Sequence, residues 1–290
     1  MIQSVAFIGL GAMGYRMAAH LPKHFDTVYV WNRNFAKAEQ HAAEYGTQAV
    51  ELAQAVQADI IFSCLPTSTE VENLIAQIQL KAGSVWVDCT SGVPESAKKL
   101  VQQLEVQQVD FLDAPVSGQT IGAENATLTV MIGGKAAAFE KALPAIQAFG
   151  KVIQHVGEPG AGFAVKAVNN MLMAVSLCAA AEGFTTLKAH GVNLNQALQC
   201  INASSGKSAV TEMILPQRVL NRTFPNTFAL PLLAKDTGIA LDLVREAALP
   251  APVLALTQSL IQAANLSAEK NSDFSTAVKM YELWSNITLE

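Results

Sequence analysis

Ten residues near the start of the chain constrain its fold more than any others. Val5-Ala6-Phe7-Ile8 is an apolar run, and Gly9-Leu10-Gly11-Ala12-Met13-Gly14 follows it directly, three glycines in the spacing G-x-G-x-x-G. A strand that ends in such a turn and leads into a helix is the first half of a dinucleotide-binding βαβ unit. Gly9 then makes the tight turn, Gly11 lets the backbone approach a pyrophosphate, and Gly14 lets helix pack on strand. The N–H groups and partial positive charge of the helix start face the phosphates. Leu10, Ala12 and Met13 complete the cofactor-binding loop. Three glycines alone would be a weak signal, and their place between a strand and a helix is what makes them specific.

The second strand ends Val30-Trp31-Asn32-Arg33-Asn34, where an NAD site normally carries an Asp or Glu for the ribose 2′-OH. Asn32 stands there instead, Arg33 follows, and Lys37 comes one helical turn later. Cations suit a 2′-phosphate that a carboxylate would repel. NADP(H) is therefore expected over NAD(H), with Asn32, Arg33, Asn34 and Lys37 at the ribose end. The competing reading makes Arg33 and Lys37 ordinary solvated charges at a helix start.

The 290 residues suggest two domains at about 150 residues each. With 51% hydrophobic and 15% charged residues, both should be well packed. Strand patterns cover 4–10, 26–31, 59–65, 84–89, 109–116, 128–132 and 152–156, most of them apolar on both faces, as parallel strands covered by helices must be. Helical patterns lie between them, among them 35–45, closed by Gly46, and 94–107, opened by Pro94. After about Gly160 the β signal stops. A long apolar helix over 162–190 ends at Gly191, and further helices are expected at 194–204, 210–220, 230–247, 253–264 and 274–284. The fold class is an α/β Rossmann-type N-terminal domain, 1–161, binding NADP(H), joined by the long helix to an all-α C-terminal domain, 162–290, for substrate binding and dimerisation.

Several classes are disfavoured. A net charge of −5 without a basic block would repel nucleic acid. The uncharged run from Met171 to Ala181 has 11 residues, against about 20 for a bilayer span, so no membrane crossing is expected. Cys64, Cys89, Cys178 and Cys200 show no CxxC and no histidine at metal spacing, which suggests buried, reduced thiols and no metal. The N-terminus reads as a first strand and the protein as cytoplasmic, and the apolar helical half suggests a homodimer or homotetramer.

Two strand-end turns, Cys64-Leu65-Pro66-Thr67 and Asp88-Cys89-Thr90-Ser91-Gly92, belong beside the cofactor, because parallel sheets present the carboxyl ends of their strands to the ligand. Three more segments complete a pattern: Phe111-Leu112-Asp113-Ala114-Pro115-Val116-Ser117-Gly118, then Gly160-Ala161-Gly162 with Lys166 and Asn169-Asn170, then Phe228-Ala229-Leu230 with Lys235-Asp236. Lys166 and Asn170 share one helix face. A lysine inside so apolar a helix is out of place unless it lines a cleft, since burying an unpaired ammonium is costly. Lys235-Asp236 alone reads as a surface pair.

In order and spacing these segments resemble the β-hydroxyacid dehydrogenase family, the group of 3-hydroxyisobutyrate dehydrogenase, tartronate semialdehyde reductase and the glyoxylate/succinic semialdehyde reductases, over essentially the whole chain. The resemblance implies Lys166 as the catalytic residue and Asn170 as a substrate- and lysine-orienting group. It implies Ser117 and Gly118, with Gln119 beside them, as binders of the substrate carboxylate, and Leu65, Pro66, Glu70, Ser91 and Lys235 as cofactor neighbours. It further implies hydride exchange between NADP(H) and a short 3-hydroxy acid or its semialdehyde, with a lysine handling the oxygen's proton. Gln119 replaces a usual glycine, Thr90-Ser91 reverses a usual Ser-Thr, and Thr237 replaces a common leucine, all of which bear on the substrate. Two rivals are an imine reductase-like enzyme, which usually lacks the lysine, and a silent NADP-binding sensor or scaffold, which would not need Lys166, Asn170 and Lys235 together.

Overall fold

The structure, a computed structural model, describes residues 2–290 and divides into two compact units, Met1–Lys166 and Ala167–Glu290. In the first, strands β1 (Val5–Ile8), β2 (Val28–Trp31), β3 (Gln48–Ala49), β4 (Ile60–Ser63), β5 (Val85–Asp88) and β6 (Asp110–Asp113) lie in the order β3-β2-β1-β4-β5-β6. All pairings among these six are parallel. The crossovers are α1 (Gly14–Ala18), α2 (Phe35–Tyr45), α3 (Leu52–Ala55), α4 (Ser68–Ile75) and α5 (Pro94–Glu105). The strand order reverses between β1 and β4, the switch point at which such sheets bind ligands.

Alternation along the strands builds two cores. Phe7, Phe62, Val87 and Leu112 pack on one face with Phe149, while Ala6, Ile8, Ile61, Trp86 and Phe111 pack on the other with Leu100 and Leu104. Burial on both faces is why these strands read as unbroken apolar runs.

The sheet is not wholly parallel, contrary to the sequence expectation. The pattern over 109–116 breaks at Ala114-Pro115 into β6 and β7 (Val116–Ser117), and β8 (Leu128–Gly134) runs antiparallel to both. Pro115 cannot donate to a ladder, so the strand cannot continue straight through it. β9 (Gly150–Gly157) closes the edge parallel to β8, with Val152 and Val156 exposed rather than doubly covered. Helices α6 (Gln119–Glu124) and α7 (Ala136–Ile146) complete the unit.

Helix α8 (Ala161–Ala189) begins in the first unit and continues into the second, and Gly191 beyond it adopts φ +74°. By length and composition α8 is apolar enough to cross a bilayer, a longer stretch than the uncharged run alone indicated. Its Ala174, Leu177, Ala181 and Phe184 are buried in the helical core with Leu215, Leu233 and Phe274. The second unit adds α9 (Leu194–Asn202), a π-helix over Val210–Val219, α10 (Leu230–Glu246), α11 (Pro252–Ser267), a 3₁₀ turn over Phe274–Ala277 and α12 (Val278–Ser285). Pro216 sits inside the π-helix, and its missing N–H favours departure from the α ladder. All four cysteines are free, but Cys200 is exposed on α9 rather than buried, and Cys64 is only half-buried.

Candidate cofactor and catalytic site

The fingerprint turn sits at the switch point. Gly9 has φ +93°, and a Cβ there would lie 2.5 Å from the carbonyl oxygen of Cys64, so the turn after β1 packs directly against the turn after β4. A Cβ on Gly14 would stand 2.0 Å from the Gly9 oxygen, which is the close helix-on-strand packing the spacing requires. Among the described residues, a Cβ on Gly11 would meet nothing within 4 Å beyond its chain neighbours. That open space, just ahead of an N-cap Met13 whose side chain makes no capping hydrogen bond, fits an incoming pyrophosphate.

Next to it lies a pocket of about 260 Å³ lined by Leu10, Gly11, Ala12, Tyr15, Arg16, Lys37 and Gln40. Lys37 is thus brought to the fingerprint, together with Arg16, whose Nη1 donates to the Ala12 carbonyl at 2.8 Å. Sequence reasoning missed Tyr15, Arg16 and Gln40, although one helical turn separates Ala12 from Arg16. Arg33 is exposed just past β2 and does not line this pocket. Asn32 is engaged locally: its Oδ1 accepts the Leu10 N–H at 3.0 Å and its Nδ2 donates to the Asn34 carbonyl at 3.0 Å. The asparagine therefore ties the end of β2 to the phosphate loop.

Behind α1, buried His41 steadies the helix. A backbone carbonyl only accepts, so Nε2 carries the hydrogen that reaches Tyr15 O at 2.9 Å, and Nδ1 accepts from the Thr47 hydroxyl at 2.8 Å. Burial pushes the imidazole pKa down, against the opposing pull of the Tyr15 carbonyl and the Glu44 carboxylate. The ring is neutral in this arrangement.

The strand-end turns after β4 and β5 are held by one buried chain of hydrogen bonds. Trp86 Nε1 donates to Ser63 Oγ at 2.8 Å, and Ser63 donates to Asp88 Oδ1 at 2.8 Å. Asp88 Oδ1 also accepts the Thr90 N–H at 3.1 Å, and Thr90 Oγ1 accepts the Leu65 N–H at 3.1 Å. Leu65 and Ser91 therefore stand on a rigid base, with Pro66 exposed beside them. Glu70 accepts from the Thr67 hydroxyl at the start of α4. Farther along, Ser117 pairs with Thr129 in the β7–β8 ladder, and Gly118 and Gln119 turn the chain into α6 with φ of +137° and +58°.

Lys166 is buried on α8, with 9% of its surface exposed. One turn later, in the second unit, Asn170 Nδ2 donates to Asp236 Oδ2 at 2.6 Å, and its Oδ1 accepts from Asn169 at 3.1 Å. Because a carboxylate only accepts, Asp236 fixes which way the Asn170 amide points. Asp236 is 1% exposed and lies 3.1 Å from Lys235 Nζ. Lys235-Asp236 is thus no surface pair, since its acid is buried on α10 against Asn170.

A doubly wound sheet whose switch point carries this glycine turn defines a Rossmann-type nucleotide-binding protein, here followed by a helical unit. Residues 4–157 match the NAD binding domain of 6-phosphogluconate dehydrogenase, and residues 160–281 match the NAD-binding region of NADP-dependent 3-hydroxyisobutyrate dehydrogenase. A 2-(hydroxymethyl)glutarate dehydrogenase of Eubacterium barkeri is 36% identical, covering 98% of this chain and 97% of its own length. An NAD-dependent L-serine dehydrogenase of Pseudomonas aeruginosa is 32% identical over 97% of this chain and 98% of its own. The structure of Mycobacterium tuberculosis 3-hydroxyisobutyrate dehydrogenase with L-serine superposes with a TM-score of 0.88 at 28% identity, covering 97% of this chain and 99% of that one. The chain belongs to the β-hydroxyacid dehydrogenase family, oxidoreductases that act on CH–OH groups with a pyridine nucleotide.

Proposed function

We propose that this protein interconverts a short 3-hydroxy acid and its semialdehyde with NADP(H), and that Lys166 gives and takes the proton at the substrate oxygen. The observation that carries the reading is Lys166 buried on an otherwise apolar stretch of helix, one turn before an asparagine whose amide a buried carboxylate fixes. The nicotinamide supplies or accepts the hydride. The chain must do the rest. In the reducing direction the Lys166 ammonium stabilises negative charge growing on the carbonyl oxygen and then protonates it. Asn170 orients both the lysine and the substrate.

The relatives' names share one chemical group, a hydroxymethyl on the carbon next to a carboxylate. A turn able to take that carboxylate follows β7, where the Ser117 hydroxyl and the N–H groups of Gly118 and Gln119 offer donors. At the other end, Lys37 and Arg16 bring positive charge to the fingerprint pocket, and Arg33 adds a guanidinium past β2 where a carboxylate would favour NAD. Leu65, Pro66, Glu70, Ser91 and Lys235 are assigned to the cofactor's surroundings. Val165, Val168 and Leu172 expose an apolar stripe along α8, which supports a homo-oligomer.

The test is a turnover panel with NADPH and NADH against glyoxylate and the succinic, tartronate and methylmalonate semialdehydes, with serine and 3-hydroxyisobutyrate in reverse. Carboxylate-bearing substrates should turn over with NADPH, and acetaldehyde and propanal poorly. Equal efficiency on the neutral aldehydes would remove the carboxylate role of the Ser117 turn.

A further inference from the structure

A long helix needs partners for its first N–H groups, and neither Gly160 nor Ala161, where α8 begins, has a side chain that could supply one. The partner comes from β6. Asp113 Oδ1 accepts the Gly160 N–H at 2.8 Å, and Asp113 Oδ2 accepts the Phe163 N–H at 2.9 Å. One carboxylate thereby satisfies the two N–H groups that a capping box satisfies, but it arrives from a strand 47 residues upstream of Gly160. Its charge also meets the positive end of the helix dipole.

The seat is tight. A Cβ on Gly133 would lie 2.6 Å from Asp113 Oδ1, and one on Gly162 would lie 2.9 Å from Oδ2 and 2.3 Å from the Met131 carbonyl oxygen. On another side the Phe163 ring fills the space over Gly92, where a Cβ would stand 2.5 Å from it. The first turn of α8 therefore has one position on the sheet, set by a buried carboxylate within a glycine-lined cage. Lys166 follows Phe163 by three residues and so leaves the same helix from the next turn. Asp113 has no exposed surface with which to touch a ligand.

We infer that Asp113 is a positioning residue for Lys166: it fixes the first turn of α8, so that the ammonium one turn later meets the reacting oxygen. The inference rests on the reading of Lys166 as the proton-transfer group. A misplacement of about 1 Å at a reacting group costs up to about 100-fold in rate, and Asp113→Asn, which sets an amino group against one of two N–H donors, should sit below that limit.

The experiment is a double-mutant cycle of the wild type, Asp113→Asn, Lys166→Ala and the double variant. It reads kcat, KM and NADPH affinity by fluorescence titration. The expected result is a roughly tenfold fall in kcat for Asp113→Asn with NADPH affinity within about twofold, and less than about twofold further change when it is added to Lys166→Ala, because no lysine remains to be placed. An unchanged kcat in Asp113→Asn overturns the inference. So does the same tenfold loss in both backgrounds, which would show the carboxylate acting on the fold as a whole while leaving the role of Lys166 intact. Wild-type turnover in Lys166→Ala removes the reading of that lysine and the inference with it. Should Asp113→Asn fail to bind NADPH, Asp113→Ser, smaller and retaining one acceptor, carries the same expectations.

Discussion

Two helices start in the first unit in opposite ways. At the start of α1 the N-cap Met13 side chain makes no capping hydrogen bond, and the fingerprint pocket lies beside it. The start of α8 is filled by a carboxylate from β6 and enclosed by glycines. The two helix starts thus serve two purposes. Ahead of α1 the glycine turn leaves room for an anion from outside; at α8 a carboxylate from within takes the N–H groups and locks the helix to the sheet. The proposed reaction would use one of each, a place for the cofactor phosphates and a fixed origin for the lysine proposed to move the proton.

The comparison breaks most readily at Gly11. Nothing surrounds its missing Cβ, so Gly11→Ala should leave the melting temperature unchanged yet weaken NADPH by roughly 10- to 100-fold, the cost of displacing one or two charge-assisted hydrogen bonds. Calorimetry alongside a binding titration checks this. If melting and affinity fell together, the glycine would serve the fold rather than the ligand.

The two anchors should also respond to pH with opposite signs. Burial pushes the Asp113 carboxyl up to about 6, against the pull of the Gly160 and Phe163 N–H groups and with a further push from the Asp88 charge. An acid whose pKa is raised by folding gives most stability below its unfolded pKa and loses it as pH rises through the folded value. Wild type relative to Asp113→Asn should therefore lose about 3 kcal/mol of stability between about pH 4 and pH 6. Activity should move the other way, because only the ionised carboxylate offers both oxygens as acceptors, giving an acid limb near pH 6 that Asp113→Asn lacks. His41, held neutral by burial behind α1, should instead cost stability as pH falls below about 6.5. Urea melts of His41→Ala across this range should show a flatter acid side than the parent. A parallel loss would leave His41 out of the account.

A smaller effect should come from the ribose end. Arg33→Ala should lower NADPH affinity by roughly tenfold with little change for NADH, as expected of a charged hydrogen bond, and Lys37→Ala less, because its exposed ammonium is well solvated. Added salt should narrow both differences. Equal losses for the two cofactors would make Arg33 a solvated helix-start charge.

What the sequence discloses follows the range of the interactions involved. β1, the glycine turn and α2 with its Gly46 end are local, and the structure places them within a few residues of expectation. The long helix shows itself by its apolar length and Gly191. The antiparallel return through β8 is not local. It depends on a partner strand and on Pro115, and two-residue β3 is too short to carry a pattern. The π-helix hides because an apolar period of helix does not reveal its hydrogen-bond spacing. At the site, Lys166 stands out because its charge contradicts its neighbours. Asp236 and Asp113 do not, since a carboxylate on a helix or at a strand end looks solvated until its distant partners, Asn170 in one case and Gly160 and Phe163 in the other, are known.

The central claim is that Lys166 moves the proton while the glycine turn independently holds the cofactor. Lys166→Ala, assayed with NADPH and the best substrate from the panel and titrated with NADPH in parallel, tests both halves at once. The account predicts a loss of at least about 100-fold in kcat, the usual contribution of a proton-transfer group, with NADPH affinity retained. Near-normal kcat, or a loss explained by failure to bind NADPH, would contradict it.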